Sequence, residues 1–166
     1  MDNKLPGDYV AGFVDGEGCF FLTYRKETKR SRLGNPTYYR WSAGFAMTLR
    51  EDDAEILKQI RDTLGCGNVY FLNAKDCRMG KQAYFGVQNI DDAHNKVSPF
   101  FIKFPLRAKK RHDFELWDKA IEIIYRKKKS KELYSTKDHS LLKEIRTKMR
   151  VYKQKLDREY KNNPIM

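Results

Sequence analysis

Val10-Ala11-Gly12-Phe13-Val14-Asp15-Gly16-Glu17-Gly18 is the stretch around which the rest of this chain is read. Val10, Phe13 and Val14 fall at i, i+3 and i+4, the spacing of one helix face. Pro6 suits a first helical turn, and Gly16 and Gly18 suit a stop. The spacing therefore predicts a helix ending near Asp15. Its carboxyl end is then crowded with negative charge. Asp15 and Glu17 lie where the helix dipole and the free carbonyls are already negative. They repel unless something positive joins them, and a hard cation taking oxygen ligands would remove the conflict. Ala11, Gly12 and Gly16 leave one face almost bare, so a second backbone could approach closely; the membrane GxxxG pattern supplies the geometry and nothing more. A surface helix with a solvated acidic end is the plain alternative.

Working outward, 166 residues are enough for one domain with a real core. We read a single domain over 1–166, with a core from about 5 to 125 and a basic helical extension from about 126 to 166. Charged residues make up 34% and no apolar run approaches a membrane span, which excludes a membrane protein. The net charge of +12 favours a polyanionic partner, and nucleic acid fits better than a lipid surface because no anchor signal is visible. Cys19, Cys66 and Cys77 are too few and scattered for a zinc framework, and the odd count argues against a disulfide scaffold. His94, His112 and His139 lack ligand spacing. Asp2, Lys4, Pro6 and Asp8 replace the apolar core of a signal peptide, so a non-secreted protein is expected, in an organelle (chloroplast or mitochondrion) or a prokaryotic cytoplasm.

Cys19 to Lys26 reads as an aromatic strand. A basic loop from Glu27 to Pro36 follows, with Lys29, Arg30 and Arg32 placed either to reach phosphates or to form a solvated tip. Tyr38 to Leu49 alternates cleanly. Tyr39, Trp41, Ala43, Phe45, Met47 and Leu49 form a large apolar set facing the core; Tyr38, Arg40, Ser42, Gly44, Ala46 and Thr48 face out. Asp52 to Leu64 reads as a helix with an Asp52/Glu55 capping pair and a core stripe of Ile56, Leu57, Ile60 and Leu64, ended by Gly65. Asn68–Leu72 and Lys81–Gln88 form a second ribbon around a loop holding Lys75. Ile90 to Val97 reads as a short helix stopping near Pro99, followed by an apolar connection to Pro105. A further helix begins at the Arg107/Lys109/Lys110/Arg111 cluster, with Phe114, Trp117, Ile121 and Ile124 on its core stripe. Cations at a helix start oppose the dipole, so a use for them is expected. Arg126 to Lys131 is a basic run, either solvated or on phosphate. Asp138 to Tyr160 is the last helix, with Leu142, Ile145, Met149, Tyr152 and Leu156 along one seam.

This order of helix, ribbon, helix, ribbon, helices predicts an α+β domain with an antiparallel sheet covered on one face. The outer sheet face can enter a major groove and present side chains to base edges. Strand alternation selects Thr23, Arg25, Tyr38, Arg40, Ser42, Tyr70, Gln82 and Tyr84 as DNA-facing, joined by Arg30, Arg32 and Lys75 from the loops.

VAGFVDGEG resembles the LAGLIDADG motif of homing endonucleases over nine contiguous residues, and a weaker likeness runs from about Leu5 to Tyr125. The resemblance implies the αββαββα fold with a saddle-shaped sheet and extra C-terminal helices. One motif per chain implies a homodimer joined helix to helix through Ala11, Gly12, Asp15 and Gly16, on a long pseudo-palindromic target. Glu17 stands where the family's metal-binding acid stands, with the Gly16 carbonyl beside it, as ligands for Mg²⁺ (or Mn²⁺). Asp15 is then mainly structural. PLRAKKRHDF, residues 105–114, is similar to the segment carrying a basic residue near the scissile phosphate; Lys110 matches best and Lys109 next. The implied activity is site-specific, Mg²⁺-dependent cleavage of both DNA strands. The alternatives are an intron RNA maturase and a non-catalytic DNA-binding protein of the same fold. One departure stands out. The family often has a polar residue such as Gln at the end of the second strand, and here Leu49 stands there, followed by Arg50 and Glu51.

Overall fold

The structure, a computed structural model, describes residues 4–28, 30, 33–34, 36–73 and 80–162, with side chains through 150. Arg32 and Lys75, read above as DNA-facing, and the side chains of Tyr152 and Leu156 lie outside the described residues.

Helix α1 spans Gly7–Glu17 and strand β1 spans Gly18–Thr28. The helix runs two residues past the expected stop, so Gly16 lies inside it. The chain turns into the strand at Gly18, whose backbone is extended (φ −72°, ψ 152°) and whose N–H donates to the Val14 carbonyl. A Cβ on Gly18 would lie 2.7 Å from the Val14 carbonyl oxygen and 2.6 Å from Val14 Cγ1, so glycine is needed there for space.

Strand β2 spans Thr37–Arg50, β3 Asn68–Leu72 and β4 Gln82–Val87, and the sheet order is β1-β2-β4-β3. All three pairings are antiparallel, as expected. The alternation holds in part: Trp41, Ala43, Phe45 and Met47 are buried while Tyr38 and Arg40 are exposed, but Gly44 and Ala46, expected to face out, are buried as well, Gly44 against the Phe21 ring. Tyr39 departs from it, remaining exposed where β2 runs beyond the end of β4.

A 3₁₀ turn, Glu51–Asp53, precedes helix α2, Ala54–Leu64. The expected Asp52/Glu55 cap does not form. Asp52 instead takes a two-pronged hydrogen bond from Arg50 (3.1 and 2.8 Å), and Glu55 pairs with Lys58 at 3.1 Å. Gly65 closes α2 with φ +67°, where a side chain would strain the backbone. The short helix α3, Ile90–Asp92, does not stop near Pro99. It passes through a π turn, Ala93–Val97, into α4, Ser98–Lys103, with Pro99 in the first turn. Proline lacks an N–H, and the first turn is where that loss is tolerated. Part of the expected apolar connection is therefore helix, and it delivers Phe101 to the core at 1% exposure.

Helix α5 spans Lys110–Ser130 and α6 spans Thr136–Asn162. Position 125, the expected limit of the core, thus falls inside α5. Leu142, Ile145 and Met149 of α6 are buried in the same cluster as the sheet residues. At its centre the Phe20 ring packs on Phe45, Phe101, Phe114 and Trp117, with ring centroids 4.9–5.8 Å apart. The helices therefore cover one sheet face and leave the other open.

The basic run ending α5 is braced by acids. Lys127 pairs with Glu132 (3.4 Å) and Asp138 (3.2 Å), Arg126 with Asp138 (3.5 Å), and Lys128 and Lys129 with Asp91. A capping box opens α6. The Asp138 N–H donates to Ser135 Oγ (3.1 Å), and Asp138 Oδ2 accepts from the Ser135 N–H (2.9 Å). No described helix is long and apolar enough to cross a membrane.

Candidate nucleic-acid interface and catalytic end

The charge conflict at the end of α1 is half resolved within the chain. Asp15 turns away from Glu17 and accepts hydrogen bonds from the backbone N–H groups of Arg107 (2.8 Å) and Ala108 (3.2 Å). These amides belong to the segment just before α5, so Asp15 ties that segment to α1, and its carboxylate offsets the cations crowded near the helix start. The other oxygen, Oδ1, is buried with no partner among the described residues. It lies beside a cleft of about 260 Å³ lined by Asp8, Ala11, Gly12, Asp15, Pro105 and Arg107.

Glu17 is exposed, with no hydrogen bond or ion pair among the described residues. Gly16 is also exposed, in the last helical turn, where carbonyls lack intrahelical partners. Lys110 reaches back from the first turn of α5 and donates through Nζ to the Gly18 carbonyl. This brings Lys110 to the chain segment next to Glu17, while Lys109 points into solvent without a partner among the described residues. Of the four residues expected at the helix pairing face, Gly12 and Gly16 are open, and a Cβ built on either meets nothing within 4 Å. Ala11 is already buried in its own protomer at 4% exposure, and Asp15 is half-buried.

The donors around Glu17 fit a hard cation in part. An exposed carboxylate with no partner and a helix-terminal carbonyl are oxygen ligands. They are too few to enclose an ion alone, and no cluster of three or more His, Cys, Asp or Glu suited to a metal exists among the described residues. The remaining ligands would have to come from a second copy, from phosphate and from water. Cysteine chemistry is not in play at neutral pH at Cys66, whose thiol is pushed up to about 11 by burial.

The open sheet face carries the rest. Thr23 stands opposite Ser42 and Arg25 opposite Arg40 across β1–β2. Tyr70 stands opposite Tyr84 across β3–β4, and Gln82 stands opposite Arg50 across β2–β4. The structure thus brings Thr23, Arg25, Tyr38, Arg40, Ser42, Tyr70, Gln82 and Tyr84 to one surface; Arg30 lies beyond it in the β1–β2 connection. Residues of this face were missed, among them Glu27, Arg50 and the exposed Thr48, which stands opposite Tyr84. Glu27 follows Arg25 by two, so the alternation already placed it there. Arg50, 78% exposed at the side chain, projects from the same face as Gln82, whereas Leu49 turns toward the core. The outward polar residue at the end of β2 is therefore Arg50, one residue past Leu49, where the resemblance implied a polar residue.

Comparison with known proteins agrees with this geometry. The family model described as "LAGLIDADG endonuclease" matches residues 10–121. Over 149 residues the chain is 28% identical to the "Probable intron-encoded endonuclease Cox1-I1b" of Schizosaccharomyces pombe, covering 88% of this chain and 34% of that protein. It is 33% identical over 122 residues to the "Uncharacterized 50.9 kDa protein in ND4 intron 1" of Podospora anserina, covering 72% of this chain and 24% of that protein. The chain thus spans about a third or less of the length of these relatives. Among solved structures, the homing endonuclease I-TnaI superposes with a TM-score of 0.70 at 24% identity, covering 93% of this chain and 98% of its own. I-SmaMI bound to cleaved DNA gives 0.70 at 23% identity, with 90% and 46% covered. With the motif, the four-stranded antiparallel sheet and the matched segment in agreement, the chain belongs to the LAGLIDADG endonuclease family.

Proposed function

We propose that this protein is a site-specific endonuclease that hydrolyses both strands of a long pseudo-palindromic DNA target as a homodimer with a divalent cation. The observation that carries this is Glu17: an exposed carboxylate without a partner among the described residues, at the negative end of a helix and one residue before Gly18, whose carbonyl takes the ammonium of Lys110. Such a carboxylate has no structural use among the described residues. The unpartnered Asp15 Oδ1 and the bare Gly12/Gly16 face support pairing through α1. Pairing there would bring two Glu17 carboxylates together near the axis and align two sheets into one basic surface.

In this reading Glu17 and the Gly16 carbonyl would hold Mg²⁺ or Mn²⁺. When bound, the ion supplies Lewis-acid polarisation of the phosphate and a more acidic water. Lys110 offers a fixed cation to the charge that grows on the phosphoryl oxygens. Its bond to the Gly18 carbonyl holds it in place before DNA arrives, so little reorganisation is needed. Asp15 sets the position of the segment that leads into it. The outer sheet face sets register on the target through Thr23, Arg25, Arg40, Ser42, Gln82 and the tyrosines. Organelle or prokaryotic DNA that hosts introns is the matching location, in line with the intron-encoded names of relatives.

The test is purified protein with Mg²⁺ and a library of duplex targets, comparing wild type with Glu17→Gln. Wild type cuts, and the variant binds the selected target without cutting. Equal cutting by both removes Glu17 from the chemistry.

A further inference from the structure

Arg25 and Arg40 stand directly opposite each other on the open face of β1–β2. Like charges so placed destabilise a strand pair, so their orientation within the face is informative. Each guanidinium is held by its Nε alone. Arg25 Nε donates to Thr23 Oγ1 at 3.1 Å, and the Thr23 hydroxyl donates to the Ser42 carbonyl at 3.3 Å. Arg40 Nε donates to Glu27 Oε1 at 3.1 Å. The Nη edge of each fork is left without a partner among the described residues, and an Nη edge can bond guanine O6 and N7 end-on.

The two holders differ in charge. Thr23 leaves Arg25 fully cationic. Glu27 neutralises Arg40 while fixing its plane. Among the described outward-facing positions of the four strands, Glu27 is the one carboxylate, on a chain of net charge +12. Its side chain retains 32% exposure, so it faces solvent and would face the phosphates of any duplex laid on the sheet. A surface ion pair adds little to stability, about 0–1 kcal/mol. Raw affinity for a polyanion would rise without it.

We propose that Glu27 is a specificity-determining residue. It locks the Arg40 fork for end-on reading of a guanine edge and cancels that arginine's pull on phosphate, so that Arg40 contributes discrimination and Arg25 contributes attraction. The inference rests on the DNA-binding reading given under Proposed function.

The experiment measures binding of wild type, Glu27→Gln and Arg40→Ala to a randomised duplex library and, over a range of salt concentrations, to a random-sequence duplex. Glu27→Gln keeps an acceptor and removes the charge. Expected is a guanine preference in wild type that Arg40→Ala abolishes. Glu27→Gln should weaken that preference by on the order of ten-fold, while binding random DNA more tightly. Its salt slope should steepen by about one phosphate contact. Uniform tightening of Glu27→Gln on every sequence, with discrimination intact, overturns the inference, because Glu27 is then a charge and nothing more. Unchanged preference and unchanged salt slope overturn it equally. In either case cutting by wild type in Mg²⁺ leaves the endonuclease reading standing. No sequence preference and no cutting by wild type overturns both.

Discussion

Asp15 and Glu17 are two residues apart with the same charge, yet their surroundings separate them. Asp15 finds two backbone amides in the segment before α5, and Glu17 finds solvent. In the proposed site Asp15 is therefore a positioning residue, holding the segment that leads into Lys110. Asp15→Ala leaves the Arg107 and Ala108 amides without this acceptor, and we expect a loss of about 1–2 kcal/mol of stability by chemical denaturation. Cutting should slow while affinity for the target stays within two-fold of wild type, about the scatter of such measurements. A fall in affinity that matches the fall in rate would place Asp15 in DNA binding instead. The departure at Leu49 is also a matter of single residues. Spacing from Phe45 put the family's polar position at Leu49, and the pleat turns Leu49 inward and Arg50 outward.

At the scale of elements, the expected cap of α2 and the observed cap of α6 share one pattern, an acid three residues after a polar starter. The pattern fails at Asp52 because Arg50 on the adjacent strand end claims its carboxylate. It succeeds at Ser135 and Asp138, where Lys127 adds a cation. The Ser135 hydroxyl and amide, followed by Lys127, hold the Asp138 carboxyl well below the usual range, at about 2. A depressed acid stabilises the fold above its unfolded pKa of ~3.9 and loses that contribution as the pH falls toward the folded value. Docking of α6 should therefore loosen between pH ~4 and pH ~2. Trp41 reports this directly, because its Nε1 donates to Nδ1 of His139 on α6 at 3.0 Å. Asp138→Asn should flatten the acid dependence of the near-ultraviolet circular dichroism in that window and lower stability at neutral pH. An unchanged acid transition would show that other carboxylates control it.

For the whole molecule, the open α1 face is the feature that one protomer leaves unexplained. Glycine inside a helix costs roughly 0.5–1 kcal/mol relative to alanine, and neither Gly12 nor Gly16 is required by anything within the protomer. Gly12→Ala should therefore stabilise an isolated protomer by about that amount. If α1 pairs with a second copy as proposed, the substitution should also weaken that dimer, because the added methyl would enter the approach of the two helices. Sedimentation equilibrium and thermal unfolding at two protein concentrations separate these effects. A more stable protein with unchanged dimerisation would sink pairing through Gly12.

The sequence by itself determined the order of elements, the alternation of β1, β2 and β4, the core stripes of α2 and α5, and the nine-residue motif that names the family. These are local properties: periodicity of 2 or 3.6 and the identity of contiguous residues settle them. The tertiary structure decided what depends on distant partners. Asp15 binds backbone amides more than 90 residues away, Lys110 returns to Gly18, the basic run of α5 is tied to Asp91 and Asp138, and Glu27 holds Arg40. A carboxylate in sequence is a charge without an address; which cation or amide it meets is fixed when the chain closes on itself.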